Sequence, residues 1–217
     1  YIGMFVNNYG TITNLQVVVN VTITGGANTM GAWVSSIAVR NYGTIENCRV
    51  TKFNVDSHCT QTLIGGIVAE NYGKIENCYS YNNVISSGYF GGIAAKNFKD
   101  GSIKNCTVFG TLDVYIEYVE NKYWTTYSGG IVANNLGSVI GCKIGGYDDE
   151  TLFINVHVDY VDTLDLSPYI GVIYGLNSGS VSSCKNISFV LDTGNLHSWW
   201  AWFVTYDQKE HINYNVG

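Results

Sequence analysis

The chain has 217 residues and a formal net charge of −6; 13% of its residues are charged, 46% are apolar and 14% are aromatic. That apolar fraction can build a core and excludes a disordered chain, while the scarcity of Lys and Arg excludes a nucleic-acid or anionic-membrane surface, there being no basic cluster to neutralise phosphates. No apolar run approaches the roughly 20 residues needed to cross a bilayer, so no membrane insertion is expected.

In chain order, one short segment recurs. It appears as Asn8-Tyr9-Gly10-Thr11-Ile12-Thr13-Asn14-Leu15, as Asn41-Tyr42-Gly43-Thr44-Ile45-Glu46-Asn47-Cys48 and as Asn71-Tyr72-Gly73-Lys74-Ile75-Glu76-Asn77-Cys78. A longer copy runs from Asn97 to Cys106, and weaker copies run from Asn135 to Cys142 and from Asn177 to Cys184. The glycines Gly10, Gly43, Gly73, Gly101, Gly137 and Gly179 lie 33, 30, 28, 36 and 42 residues apart. A repeat of this length with variable spacers marks a solenoid. Ile67 and Ala69 alternate with Val68 and Glu70, which is a strand period and not a helical one.

Within each copy the inward positions are spaced by three and then by two, as at Ile45, Cys48 and Val50. One face of a straight strand cannot hold that spacing, so the chain must bend at Asn47, Asn77 and Asn105. Gly141 fills the same column, and Asn and Gly share a tolerance of φ > 0, so the column is read as a left-handed bend whose asparagines can also bond along the stack. The Asn-x-Gly corner, with Gly43, Gly73, Gly101, Gly137 and Gly179, is expected to follow the same chemistry. Each coil then needs at least two corners and three short strands, paired in parallel with those of its neighbours. The expected fold is an all-β right-handed parallel β-helix, a solenoid of about six to seven coils, with handedness taken from the usual crossover preference.

The stretch from Gly65 through Asn71-Tyr72-Gly73 and Ile75 to Asn77-Cys78-Tyr79-Ser80 resembles the GLUG-motif repeat of bacterial secreted and cell-surface proteins. The resemblance extends over about residues 1 to 190, and it implies β-helical repeats in extracellular adhesins, with no chemistry assigned to the motif itself. This sequence differs in having Ala69, Ala95 and Ala133 where the family often has Gly. The organisation expected is one β-helix domain over 1–217, cut from a longer secreted or surface protein, with long spacers at 109–128 and 145–168 and a degenerate last coil or apolar cap at 198–217. Three sequons, beginning at Asn20, Asn105 and Asn186, permit secretion without requiring it.

Cys48, Cys78, Cys106, Cys142 and Cys184 fall in one column and are expected to form an internal stack of free thiols, because parallel Cβ vectors strain a bridge and no zinc spacing occurs. Cys59 lies outside the column and is the expected reactive thiol. Tyr9, Tyr42, Tyr72 and Phe98 form an aromatic strip at the corner, read first as a ladder covering its own backbone. The first spacer carries Tyr115, Tyr118, Tyr123, Trp124 and Tyr127, the candidate partner-binding residues, since insertions in solenoids project and vary. Asp148, Asp149, Glu150, Asp159, Asp162 and Asp165 are read as solvated loop acids. His58, His157, His197 and His211 are dispersed. No catalytic constellation, metal site or cofactor is expected, and an ice-binding Thr array fails because Thr22 and Thr24 are not repeated in register. The leading expectation is a non-enzymatic extracellular segment of an adhesin-like or structural surface protein that contacts a host or cell-surface protein or glycan and can self-associate end to end or laterally. Its alternative is a carbohydrate-active β-helix, either a polysaccharide lyase or hydrolase or a carbohydrate-binding module.

Overall fold

A computed structural model describes residues 1–24, 31–116, 118–119, 122–123, 126–146, 151–158, 169–186 and 189–192. Strands from successive copies stack in register into four parallel sheets, which makes the fold a parallel β-helix. Sheet I holds Trp33–Ser35, Leu63–Gly65, Tyr89–Gly91, Tyr127–Gly129 and Tyr169–Gly171. Sheet II runs from Phe5–Asn8 through Ala38–Asn41, Val68–Asn71, Ala94–Asn97 and Val132–Asn135 to Tyr174–Asn177. Sheet III runs from Thr11–Thr13 to Ser180–Ser182, so sheets II and III each count six coils. Sheet IV is the broad one, built from Gln16–Ile23, Arg49–Ser57, Tyr79–Ser86 and Thr107–Ile116, and continued by Lys143–Ile144 with Leu152–Val158 and by Lys185–Asn186 with Phe189–Asp192. The terminal segment 198–217 lies outside the described residues.

From the second coil onward each coil has four strands, where the repeat pattern requires at least three; the first coil meets sheet I through a single bridge, Ile2 to Val34. The additional corner is the Gly-Gly pair, which separates sheet I from sheet II instead of opening a strand. A Cβ on Gly92 would sit 2.1 Å from the Gly130 carbonyl oxygen of the next coil. The bend between sheets III and IV is where the spacing requires it. There φ is 56° at Asn14, 53° at Asn47 and Asn77, 52° at Asn105, 64° at Gly141 and 55° at Ser183.

Two expectations about these columns are corrected by the geometry. The amides that bond along the stack are not those of the bend but those of the corner: Asn8 Nδ2 donates to Asn41 Oδ1 at 2.8 Å, and the chain continues through Asn71 and Asn97 to Asn135 and Asn177. The reason is burial, since Asn41, Asn71, Asn97 and Asn135 have no exposed surface and their amide groups must find partners inside the helix. The corner glycines, for their part, are needed for close approach and not for a left-handed φ. A Cβ on Gly43 would stand 2.0 Å from Gly10 O, and one on Gly73 would stand 2.1 Å from Gly43 O.

The core is a set of stacked apolar columns: Ile45, Ile75, Ile103 and Val139 from sheet III, and Val50, Phe53, Val84, Val108 and Leu112 from sheet IV, all at most 1% exposed. The five column cysteines are buried free thiols, each aimed at the carbonyl two residues before it, from 3.2 Å at Cys48 to 3.6 Å at Cys142. Cys59 does lie outside the column, but at 1% exposure it is part of the interior, and the expectation that it is the reactive thiol is withdrawn.

Candidate functional site

Sheet IV offers the widest outer face of the helix, because its strands are the longest. Its inward residues alternate with outward ones, and register places the outward ones in rows that run along the helix axis, about 4.8 Å per coil. One row is Asn20, Asn54, Asn83, Thr111 and Phe153. The next is Thr22, Asp56, Ile85, Asp113 and Asn155. The first four members of each row line a shallow groove of about 490 Å³ that spans four coils. The first row is bonded internally, Asn54 Nδ2 donating to Asn20 Oδ1 at 2.7 Å and Asn83 Nδ2 to Asn54 Oδ1 at 3.3 Å.

Along one margin of this face Tyr79 and Tyr81 meet Phe109 edge-on at 4.5 and 4.9 Å, and the Arg49 guanidinium lies 4.1 Å from the centre of the Tyr79 ring. Along the other margin Tyr115 stacks on His157 at 4.5 Å and meets His58 edge-on at 5.0 Å. His157 Nε2 is 3.2 Å from Asp113 Oδ1, which also accepts a bond from Asn155 Nδ2 at 2.9 Å. His58 Nε2 is 3.7 Å from Asp56 Oδ1. Two of the dispersed histidines are therefore neighbours of one tyrosine, and two aspartates recur in one column. Among the described residues no group of three or more His, Cys, Asp or Glu is arranged to hold a metal ion.

The five aromatic residues expected to bind a partner do not form one site. Tyr115 is on sheet IV, in the strand Thr107–Ile116, so the first spacer does not leave the helix at 109. Tyr118 pairs with Tyr123 across a two-stranded antiparallel ribbon, and Trp124 lies outside the described residues. Tyr127 is on sheet I, stacked between Tyr89 at 4.7 Å and Tyr169 at 4.9 Å. Burial, and then the charge of the neighbouring Tyr169, pushes its hydroxyl above the usual phenol range. With both ring faces covered, Tyr127 offers a ligand only its edge. The same holds for Tyr42 and Tyr72 in the corner strip, where Tyr42 stacks on Tyr9 at 5.0 Å and on Tyr72 at 4.8 Å, and Tyr72 stacks on Phe98 at 4.1 Å. These strips close the corners of the helix, as ladders do.

The second spacer is likewise shorter than expected, because Leu152–Val158 rejoins sheet IV beside Gly110–Ile116. Asp148, Asp149, Glu150, Asp159, Asp162 and Asp165 fall outside the described residues.

Residues 86–114 match the family model described as the GLUG motif. The matched stretch is one full turn, from the end of one sheet IV strand through Tyr89–Gly91 and Ala94–Asn97 to the next sheet IV strand. The motif is typically found in secreted or surface proteins, and with this fold it points to an extracellular β-helix-type protein. Comparisons with curated proteins and with solved structures return no match.

Proposed function

We propose that this chain is a non-enzymatic segment of an adhesin-like protein at the cell surface or outside the cell, and that the outer face of sheet IV holds its partner. The observation that supports this reading is the groove crossing four coils, lined by outward rows of amides, hydroxyls and carboxylates and flanked by aromatic clusters on both margins. Polar rows alone would serve to solvate a stalk; the aromatic clusters on both margins of the groove go beyond that need.

A second reading, glycan cleavage, is favoured by one observation. Asp56 and Asp113 are both in register with Ile85, two coils apart, hence about 10 Å between their backbones. Inverting glycosidases need two carboxyls roughly 6.5–9.5 Å apart. The binding reading is preferred because Asp113 is turned toward Asn155 and His157, away from Asp56, and the apolar Ile85 stands between the two acids.

The test is retention of the purified chain on intact cells and on extracellular polymer preparations. The native chain is expected to bind and the double variant Asn54→Ala with Asn83→Ala to lose binding, with unchanged melting temperature. Equal retention of the folded variant overturns the assignment to sheet IV. Release of reducing or unsaturated sugar ends that stops in Asp56→Asn overturns the non-enzymatic reading.

A further inference from the structure

We infer that the ligand of sheet IV is a linear, uncharged polysaccharide laid along the helix axis with about one sugar residue per coil. The inference rests on sheet IV being the binding face and goes on to name what that face holds.

Spacing is the first argument. Outward side chains of one row repeat every coil, about 4.8 Å apart, close to the advance per residue of an extended pyranose chain. Asn20, Asn54, Asn83 and Thr111 therefore present a polar group at each step of such a polymer. The bonds within the row use one donor of Asn54 and of Asn83, and one acceptor of Asn20 and of Asn54, leaving each amide a second N–H and a second lone pair. A sugar hydroxyl both donates and accepts, and adjacent hydroxyls offer the paired groups that an amide matches. Ile85, in the middle of the groove, supplies an apolar contact for the C–H face of a ring.

Charge is the second argument. The ionisable residues lining the groove are Asp56 and Asp113, and no Lys or Arg lines it. On a chain of net charge −6, a uronic-acid or sulfated polymer meets repulsion and finds no counter-charge in the groove. The third argument concerns the backbone. Arg49–Ser57 and Tyr79–Ser86 are each paired on both sides, so the groove offers no open strand edge to an extended peptide. Recognition has to come from the side-chain rows.

The probes are β-1,4-linked glucose and N-acetylglucosamine oligomers from dimer to hexamer, with an oligogalacturonate hexamer as the charged comparison, all measured by calorimetry on the full chain. Affinity for one neutral series is expected to rise with each added unit up to the tetramer, which fills four coils, and then to level off. Asn83→Ala is expected to weaken the tetramer about tenfold, one lost ligand hydrogen bond, with Thr111→Val as a second variant that keeps the strand's shape. Tightest binding by the galacturonate, or affinity independent of length, overturns the inference. If cell retention depends on Asn54 and Asn83 while no neutral oligomer binds, the inference falls and the binding face stands. If neutral oligomers bind both variants as they bind the native chain, the face falls with it.

Discussion

Asn77 and its equivalents hold a backbone conformation that most residues avoid, with φ near 53°, and they do so where the chain turns from sheet III into sheet IV. The column accepts Asn, Gly and Ser, so its requirement is the dihedral and not the amide. A left-handed residue with a Cβ costs about 1–2 kcal/mol unless its side chain offsets the strain locally. Asn77→Gly is therefore expected to leave stability within about 0.5 kcal/mol, Asn77→Ala to cost about 1 kcal/mol, and Asn77→Val to cost about 2 kcal/mol because β-branching adds crowding. Denaturant unfolding of the three variants checks the order, and Gly proving the worst of them would remove the left-handed account. This column was legible because inward spacings of three and then two allow no straight strand. The corner glycines were legible as a column but not for their cause. Gly73 is held by the Gly43 carbonyl of the coil beside it, a contact visible only after stacking, whereas a Cβ on the equivalent Gly10 meets nothing within 4 Å.

At the scale of the sheet, identical side chains stacked coil upon coil share one environment, and in the cysteine column that environment favours the neutral thiol at Cys106. Burial, reinforced by the thiols of Cys142 and Cys78, pushes the Cys106 thiol above its ordinary value of 9.0. Burial does the same to the phenols of Tyr89 and Tyr127, whose ordinary value is 10.0. These are acids whose neutral form is favoured in the folded state, so above their ordinary values the unfolded chain binds fewer protons than the folded one and stability falls as pH rises. The melting temperature is expected to hold up to about pH 9 and to drop beyond it, with a smaller drop in Cys106→Ala. A melting temperature that climbs between pH 9 and pH 10 would contradict the buried neutral thiol. Sheet IV also explains why the candidate site was hidden. Asp56 and Asp113 are 57 positions apart, and their alignment depends on an irregularity no repeat pattern displays, the bulge near Thr51, whereas Tyr79–Ser86 and Thr107–Val114 pair without a shift. The bulge shifts the outward set of Arg49–Ser57, and the pairing of Tyr115 with His157 comes from the direct register of Leu152–Val158 on Gly110–Ile116.

For the whole molecule, a solenoid is stabilised by neighbour contacts, and the position of a coil in the stack sets what a substitution costs. The corner asparagines test this with a single chemistry. Asn71 accepts from Asn41 at 2.9 Å and donates to Asn97 at 2.8 Å, with further bonds to the carbonyls of Gly73 and Ser102, and it is fully buried. Replacing it by Ala breaks the amide chain in both directions and strands the Asn97 oxygen inside the helix, a cost of about 3 kcal/mol. Asn8 makes the same corner in the first described coil, where it is 7% exposed and bonds one neighbouring amide, that of Asn41. Tyr1, Met4, Phe5, Val6, Tyr9 and Val18, all in that coil, are between 43% and 74% exposed, so water already reaches its side chains. Asn8→Ala is therefore expected to cost about 1 kcal/mol, a third of the central substitution. Hydrogen exchange distinguishes where each loss falls. In Asn71→Ala, protection should drop in the strands Ala38–Asn41, Val68–Asn71 and Ala94–Asn97 together, whereas in Asn8→Ala it should drop in Phe5–Asn8 and leave Ala94–Asn97 as in the native chain. Equal costs at the two positions, or a uniform loss of protection along the helix in both variants, would mean that the chain unfolds as one cooperative block and that nearest-neighbour stacking does not describe it.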